Sequence, residues 1–183
     1  FGERKILELI AANAPVDRTL HAVVILAEQM QRDVRAAIML LNEEQQTIRL
    51  AACGALSGPL RDALAELPVG SGSGACAAAT SLRRQIVVTD ISADPAWRDL
   101  RAQAAASNVQ SCCSTPIVTA GDRIHGTLAI YFETTRSPRT EELDLAARLT
   151  QLTGIAIRRK QDETALKASE ARFRTLFENV VDG

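Results

Sequence analysis

The stretch from Ser111 to Phe132 most constrains what this chain can fold into. Two runs rich in β-branched and apolar residues flank the turn Ala120-Gly121-Asp122, which is the pattern of a β-hairpin. Alternation along the second run gives two faces, Ile124, Gly126, Leu128, Ile130 and Phe132 on one and His125, Thr127, Ala129 and Tyr131 on the other. Neither face is polar enough for free exposure to solvent. Because a sheet covered on both faces needs helices on each side, we expect an α+β domain.

The residues before this hairpin supply helices for one face. Apolar spacing predicts a short first helix carrying the stripe Ile6, Leu9 and Ile10, for which the sequence offers no evident partner. Pro15 interrupts the pattern, and Asp17 is a candidate cap for a longer second helix.

The remaining elements follow in a regular order. We predict a second hairpin (36–41 with 47–53), a helix over 60–67 ended by Pro68, a helix over 75–81 behind a glycine-rich loop, an edge strand at 86–88, a helix from the cap Asp94 to about Ser107, and a last helix from Glu141 to about Val180.

Composition excludes several classes of protein. The 183 residues contain 21 Lys plus Arg and 22 Asp plus Glu. Because these charges nearly balance, the sequence predicts no strong positive potential that would bind nucleic acid or an anionic membrane. No apolar run approaches the roughly 20 residues of a membrane-spanning helix. The sequence that begins at Phe1 also lacks the basic and then apolar pattern of a signal peptide. These features predict a cytoplasmic chain without membrane contact, and the two termini look like cuts within a longer polypeptide.

The four cysteines do not form a metal-binding pattern. Cys53, Cys76, Cys112 and Cys113 contain no C-x-x-C spacing, and adjacent strand residues point to opposite faces. We therefore expect no metal site. Free cysteines in a reduced compartment behave as small buried apolar residues, and we expect this role for at least three of the four.

Several motifs, taken in order, resemble the GAF domain. They are GSGSGACAAA, RRQIVVTDISADPAW, SCCSTPI, and HGTLAIYF followed by RSPRTEEL, and they resemble the GAF subclass of bacterial sensory proteins with PAS, histidine kinase or cyclic-di-GMP output modules. The resemblance runs from about Ile6 to Arg159. It implies an antiparallel sheet of five or six strands with helices on both faces and a long C-terminal helix. One departure is Cys113, since this subclass commonly has Trp there.

The C-terminal segment SEARFRTLFENVVDG resembles the opening helix of a PAS domain, with Arg172, Phe173, Leu176 and Phe177 in its amphipathic pattern. We accordingly expect a GAF domain over 1–160, and a signalling linker helix with the beginning of a PAS domain over 161–183.

Other GAF subclasses fit less well. The Asn-Lys-x-x-x-Phe-x-x-x-Asp-Glu signature of cyclic-nucleotide-binding phosphodiesterases is missing from the sequence. Bilin-binding GAF domains attach the bilin through a Cys that is often followed by His in an aromatic-rich pocket, whereas here Cys112 is followed by Cys113 and aromatic residues are scarce. Free methionine-(R)-sulfoxide reductases carry a Gly-x-Cys-Gly segment that Cys76 roughly matches. Their other thiols have no counterpart here.

Two hypotheses of function follow. The first is a non-catalytic sensory module that dimerises and transmits the state of a small-molecule ligand or a partner through its last helix to a downstream PAS and output domain, with no identified cofactor. The second is a thiol redox sensor or enzyme that uses Cys76 with Cys112 or Cys113. The sequence favours the first, because no base is spaced to activate Cys76 and only Arg83 and Arg84 offer nearby positive charge.

The resemblance places a ligand pocket between the sheet and the covering segments 70–81 and 90–107. Candidate lining residues are Cys76, Asp90, Trp97, Arg101 and Cys113, with Trp97 near the mouth. We expect a parallel homodimer, formed by the stripe of the first helix and by a seam of alternating three- and four-residue spacings in the last helix. That seam comprises Leu145, Leu149, Leu152, Ala156, Arg159, Glu163, Leu166, Glu170, Phe173 and Phe177.

Overall fold

The described residues fold into one six-stranded sheet flanked by six helices. The computed structural model describes residues 2–29, 32–70 and 72–181, with the side chains of 178–181 outside the described part, so that Ser71 of the glycine-rich motif and Asp182 and Gly183 of the predicted PAS segment lie outside it. The strands are β1 Val34–Asn42, β2 Thr47–Cys53, β3 Glu66–Pro68, β4 Ile86–Val88, β5 Ser111–Thr119 and β6 Arg123–Phe132. The helices are α1 Gly2–Ala11, α2 Val16–Glu28, α3 Gly58–Ala63, α4 Gly74–Leu82, α5 Arg101–Ala106 and α6 Thr140–Val181.

The predicted hairpin of β5 and β6 is confirmed and supplies the centre of the sheet. The strand order is β3-β2-β1-β6-β5-β4 and every neighbouring pair is antiparallel. Apart from Arg123 at its start, every residue of β6 is buried. The register shifts between Ile117 and Val118, opposite His125, so this histidine departs from the simple alternation of faces.

Two apolar cores cover the two faces of the sheet. The α4-side core contains Ala129 and Tyr131 of β6 together with residues of α3, α4 and α5. The α6-side core contains Leu128, Ile130 and Phe132 with residues of α1, α2 and α6. The division follows the predicted alternation from Leu128 to Phe132. The α+β class with helices on both faces is therefore confirmed.

Gly126 allows β1 and β6 to approach closely. A Cβ atom placed on Gly126, whose φ is +151°, would lie 1.9 Å from the carbonyl oxygen of Met39. Glycine inside a strand often marks such an approach of two backbones. The pairing of β1 with β6 thus requires a residue without a side chain at position 126.

Three local predictions were wrong. Leu67 lies in β3 and pairs with Ile48 of β2, so the helix before it stops at Ala63. The segment after Asp94 is a 3₁₀ turn over Pro95–Trp97 followed by the separate helix α5. Asp17 lies in the first turn of α2, whose cap is Pro15 without a side-chain hydrogen bond.

The first helix does have a partner within the chain. Ile6 is only 1% exposed and packs in the α6-side core, and Ile10 contacts the same core. The large apolar residue that α1 exposes is Leu7, at 49%. The interpretation of Ile6, Leu9 and Ile10 as an unpartnered dimer stripe is therefore wrong.

The long helix α6 has two parts with different surroundings. Leu145 and Leu149 are buried in the α6-side core and Ala156 is 7% exposed, so these positions cannot form the predicted seam between two chains. Beyond the sheet, large apolar side chains on α6 lie in solvent. They are Leu166, Phe173, Leu176 and Phe177, each 61–69% exposed.

Candidate functional site

The structure divides the five predicted site residues into three groups. Cys76 and Trp97 meet in the α4-side core, where the Sγ atom of Cys76 lies 3.6 Å from the hydroxyl oxygen of Tyr131. Trp97 meets the same tyrosine edge to face, with ring centroids 6.3 Å apart. Trp97 is 1% exposed, so it does not lie at the mouth of an open pocket as predicted. Tyr131, which sequence reasoning did not single out, joins the two.

The sheet beneath α4 keeps hydrogen-bonding capacity that no described residue uses. The buried hydroxyls of Ser114 and Thr127 have no hydrogen-bond partner among the described residues. Ser114 and Thr127 lie on the strand face that carries Ala129 and Tyr131, since Ser114 pairs with Ala129 across β5 and β6. A buried polar group without a partner costs roughly 1–3 kcal/mol, so this face is polar at a stability cost.

Three of the four thiols are buried. Cys76, Cys112 and Cys113 are each at most 2% exposed, whereas Cys53 is partly exposed. Burial raises the pKa of the Cys112 thiol well above its ordinary value, and burial raises the pKa of the Cys113 thiol to about 11. Since the thiolate is the nucleophile, these two groups are poorly suited to redox chemistry at neutral pH.

Cys113 does not join Cys76. Cys112 packs in the α4-side core together with Cys76, and its neighbour Cys113 points to the opposite face of β5. There the Cys113 Sγ atom lies 3.9 Å from the hydroxyl oxygen of Thr115. The pair Cys76 and Cys112 is thus the one that shares a core.

Asp90 and Arg101 lie together on a surface cavity of about 540 Å³. The cavity is formed by the loop after β4, by α5, by the turn before β5, and by Thr135 after β6. Asp90 Oδ1 accepts hydrogen bonds from the backbone N–H of Ser92 at 2.9 Å and from its hydroxyl at 2.6 Å. The hydroxyl bond is the main reason why the pKa of Asp90 is lowered.

Arg101 connects this cavity to the turn that carries Trp97. Its Nη2 donates to the backbone oxygen of Asp94 at 2.9 Å. The side chain of Asp94 in turn accepts from the backbone N–H of Ala96 at 2.8 Å and caps the 3₁₀ turn. The cavity and the α4-side core are therefore joined through Asp94.

The first turn of α6 is bonded to the loop after β6. Arg136 donates to both carboxylate oxygens of Glu142 at 2.8 Å, and its guanidinium lies 3.7 Å from the centroid of the Phe132 ring. Glu142 also accepts from the backbone N–H of Arg139 at 2.7 Å, which satisfies a free N–H at the helix start. Burial tends to raise the pKa of Glu142, but the bonds to Arg136 and Arg139 outweigh it and leave this pKa lowered.

Further along, α6 lies directly on β5. A Cβ atom on Gly154 would lie 3.2 Å from Thr119 Cγ2 and 3.3 Å from the backbone oxygen of Val118, so the absence of a side chain lets the helix approach the strand. Where α6 leaves the sheet, Gln161 Nε2 lies 3.4 Å from His125 Nδ1, and His125 Nε2 lies 2.8 Å from Thr119 Oγ1. Both sheet strands of the central hairpin therefore touch the helix.

The described parts of the chain contain neither a membrane-spanning helix nor a cluster of metal-ligating side chains. No helix there, including α6, is both long enough and apolar enough to cross a bilayer. Within the same residues, no group of three or more His, Cys, Asp or Glu side chains is arranged to hold a metal ion.

Comparison with known proteins agrees on one family. The sequence model described as the GAF domain matches residues 13–158. The methyl sulfide methyltransferase-associated sensor of Methanosarcina acetivorans is 34% identical over 182 residues, which cover 100% of this chain. The chain spans only 18% of the length of that relative.

Solved structures show the same fold at low sequence identity. The GAF domain of a phosphoenolpyruvate-protein phosphotransferase from Coxiella burnetii has a TM-score of 0.73 at 18% identity, covering 88% of this chain and 94% of that one. The free methionine-R-sulfoxide reductase of Neisseria meningitidis, solved in complex with its substrate, has a TM-score of 0.71 at 16% identity, covering 87% and 88%. The GAF domain of a phosphotransferase and a sulfoxide reductase thus share this architecture, and the fold alone does not assign a function.

Proposed function

Because this chain belongs to the GAF domain family, we propose that it is a non-catalytic sensory module that passes the state of a ligand or partner to an output domain through α6. The relative named as a sensor, which aligns with the whole of this chain, supports this function. We extend the proposal to a GAF domain over 1–160, followed by a linker helix and the start of a downstream PAS domain over 161–183.

One observation carries the proposal. Helix α6 is continuous from Thr140 to Val181, so its first part belongs to the core of the domain and its second part lies outside it. At about 1.5 Å per residue, its 42 residues extend roughly 60 Å. A movement of β5 or β6 is transmitted to the start of the helix, because Gly154 lies against β5 and Glu142 is bonded to the loop after β6.

The exposed end of α6 supports association with a second copy. Leu166, Phe173 and Phe177 recur at spacings of seven and four residues, which place them on one face of the helix. Glu170 lies between them, Arg159 and Glu163 precede them in the same pattern, and these three charges weaken the seam. A parallel dimer with a weak seam can exist in two packings of similar free energy, which suits a signal relay.

The thiol redox alternative receives no such support. Although Cys112 shares the core with Cys76, burial keeps its thiol protonated at neutral pH. The likeness to methionine sulfoxide reductases lies in the fold. The experiment that tests the sensory proposal is insertion of residues into α6 beyond the sheet, with output activity as the readout.

A further inference from the structure

The cavity beside α5 presents a negative and a positive group that are not paired with each other. Among the described residues no ion pair of 4.0 Å or less includes Asp90 or Arg101, although the charge of Arg101, after the hydrogen bonds from Ser92, contributes to the lowered pKa of Asp90. Both bonds that Asp90 accepts from Ser92 use Oδ1, so Oδ2 remains available. Each charge therefore keeps capacity for an added group.

Arg101 is only partly satisfied by the protein. One bond, from Nη2 to Asp94, uses a single donor of the five in the guanidinium. Its Nε atom is buried and has no hydrogen-bond partner among the residues that the structure describes. Because that atom is closed to solvent, a carboxylate in the cavity would pair with the terminal nitrogens of the guanidinium, which keep unused donors.

The rest of the cavity is suited to a small organic molecule. Its volume of about 540 Å³ lies within the range of roughly 300–1,000 Å³ that is typical of ligand pockets. Ile91 and Val109 are each 2% exposed and form an apolar base, while Ala102 and Ala105 leave room beside α5. Asn108 and Gln110 add amide groups at the rim.

We infer that this cavity binds a small zwitterion of the free amino acid type, with its carboxylate on Arg101 and its ammonium group on Asp90. The inference rests on the proposed sensory function and names the class of ligand. A simple anion would be repelled by Asp90 and a simple cation by Arg101, whereas a molecule with both charges pairs with both groups.

A chain of contacts connects this cavity to the α4-side core. Arg101 holds the backbone oxygen of Asp94, Asp94 caps the turn of Trp97, and Trp97 contacts Tyr131 in the central strand. A ligand that draws on the Arg101 guanidinium therefore changes the surroundings of Trp97. Because Trp97 is the single tryptophan of the chain, its fluorescence reports this change directly.

The test is titration of the 183-residue chain with each of the twenty common free amino acids, followed by calorimetry and by Trp97 fluorescence. We expect saturable binding of at least one of them, and Arg101→Gln and Asp90→Asn should each weaken it by about tenfold or more, as expected for a lost bond to a charged group. Arg98→Gln and Asp99→Asn are matched controls, since both side chains are more than 70% exposed and neither lines the cavity. They should bind as the unaltered chain does.

A second variant tests whether the ligand binds in this cavity without altering the charge of Asp90 or Arg101. Ala105→Leu should obstruct the cavity from α5 and abolish binding while the chain keeps its thermal unfolding temperature. The amine and the carboxylic acid that correspond to the best amino acid should each bind about tenfold more weakly.

The inference is overturned if none of the amino acids binds saturably, if the single-charge analogues bind equally well, or if binding survives Arg101→Gln and Asp90→Asn. Such a failure leaves the role of α6 intact, because insertions into that helix are scored by output and not by ligand binding.

Discussion

Arg136 and Glu142 form a two-bond ion pair, with both N–O distances at 2.8 Å, between the loop that ends β6 and the first turn of α6. Glu142 is 2% exposed and Arg136 is 19% exposed, so the pair is partly shielded from solvent. It fixes the start of the helix relative to the central strand.

We expect Glu142→Gln to destabilise the domain. Loss of one partner from a fully buried ion pair costs roughly 3–5 kcal/mol, and because solvent reaches Arg136 we expect about 2 kcal/mol. Urea unfolding followed by circular dichroism measures the loss. Glu8→Gln, which removes an exposed pair with Arg4, is the control and should have a much smaller effect.

The effect of Glu142 should depend on pH. Its pKa in the folded chain is below the ordinary value of 4.5, so the ion pair contributes its full stabilisation above that pH and loses it as the pH falls through the lowered pKa. The stability difference between the unaltered chain and Glu142→Gln should be constant near neutral pH and shrink in acid. A difference that grows in acid would contradict this role.

Gly126→Ala should be one of the most harmful single substitutions. The added Cβ would overlap the carbonyl oxygen of Met39 at 1.9 Å, and the two central strands cannot separate without losing their hydrogen bonds. We expect a loss of roughly 3 kcal/mol, at the upper end of ordinary overpacking. Gly121→Ala, at φ +81° with open space around it, is the matched control and isolates backbone strain of about 1 kcal/mol. Equal losses at the two positions would show that the contact with Met39 is unimportant.

Thiol labelling should distinguish the sensory module from a redox protein. In the native chain we expect one fast-reacting thiol, Cys53, and slow reaction of Cys76, Cys112 and Cys113 until the domain unfolds, because only Cys53 is partly exposed. A disulfide-exchange reagent at neutral pH measures the fast phase, which Cys53→Ser should remove and Cys76→Ser should leave unchanged. A fast phase that disappears in Cys76→Ser would favour the redox alternative.

The end of α6 should hold two copies together. Leu166→Glu combined with Phe173→Glu should raise the dissociation constant of the dimer by more than about tenfold, because a charge at each position disrupts the apolar seam. Sedimentation equilibrium measures it. Leu82→Glu, at an exposed apolar position on α4, is the control and should leave association unchanged. A monomer at tens of micromolar in the unaltered chain would contradict dimerisation by this segment.

The sequence predicted the elements whose pattern is local. Two-residue alternation predicted the two faces of β6 from Leu128 to Phe132, and the Gly121 turn predicted the hairpin. The sequence-based prediction failed where contacts with distant residues determine the secondary structure. Leu67 carries a helical pattern but pairs with Ile48, which is nineteen positions earlier in the chain. Trp97, which contacts Tyr131, lies in a 3₁₀ turn that is separate from α5.

The site could be predicted only in part for the same reason. Asp90 and Arg101 were expected at a pocket and do line one cavity, but its walls include Gln110 and Thr135, which come from the ends of β5 and β6. Close approaches occur at Gly126 inside a strand and at Gly154 inside a helix. Which backbone lies opposite each glycine requires the folded structure.

The register of α6 beyond the sheet tests the central proposal most directly. Four residues inserted after Thr164, past the contact of Gln161 with His125, change the position of Leu166 and Phe173 around the helix relative to the domain, whereas seven inserted residues restore it. Output activity is then measured in the longer polypeptide that carries the output domain, with helix-forming insertions of both lengths. We predict that four residues uncouple or invert the output and that seven preserve it. Output that responds equally to both insertions, or to neither, would contradict transmission through this helix.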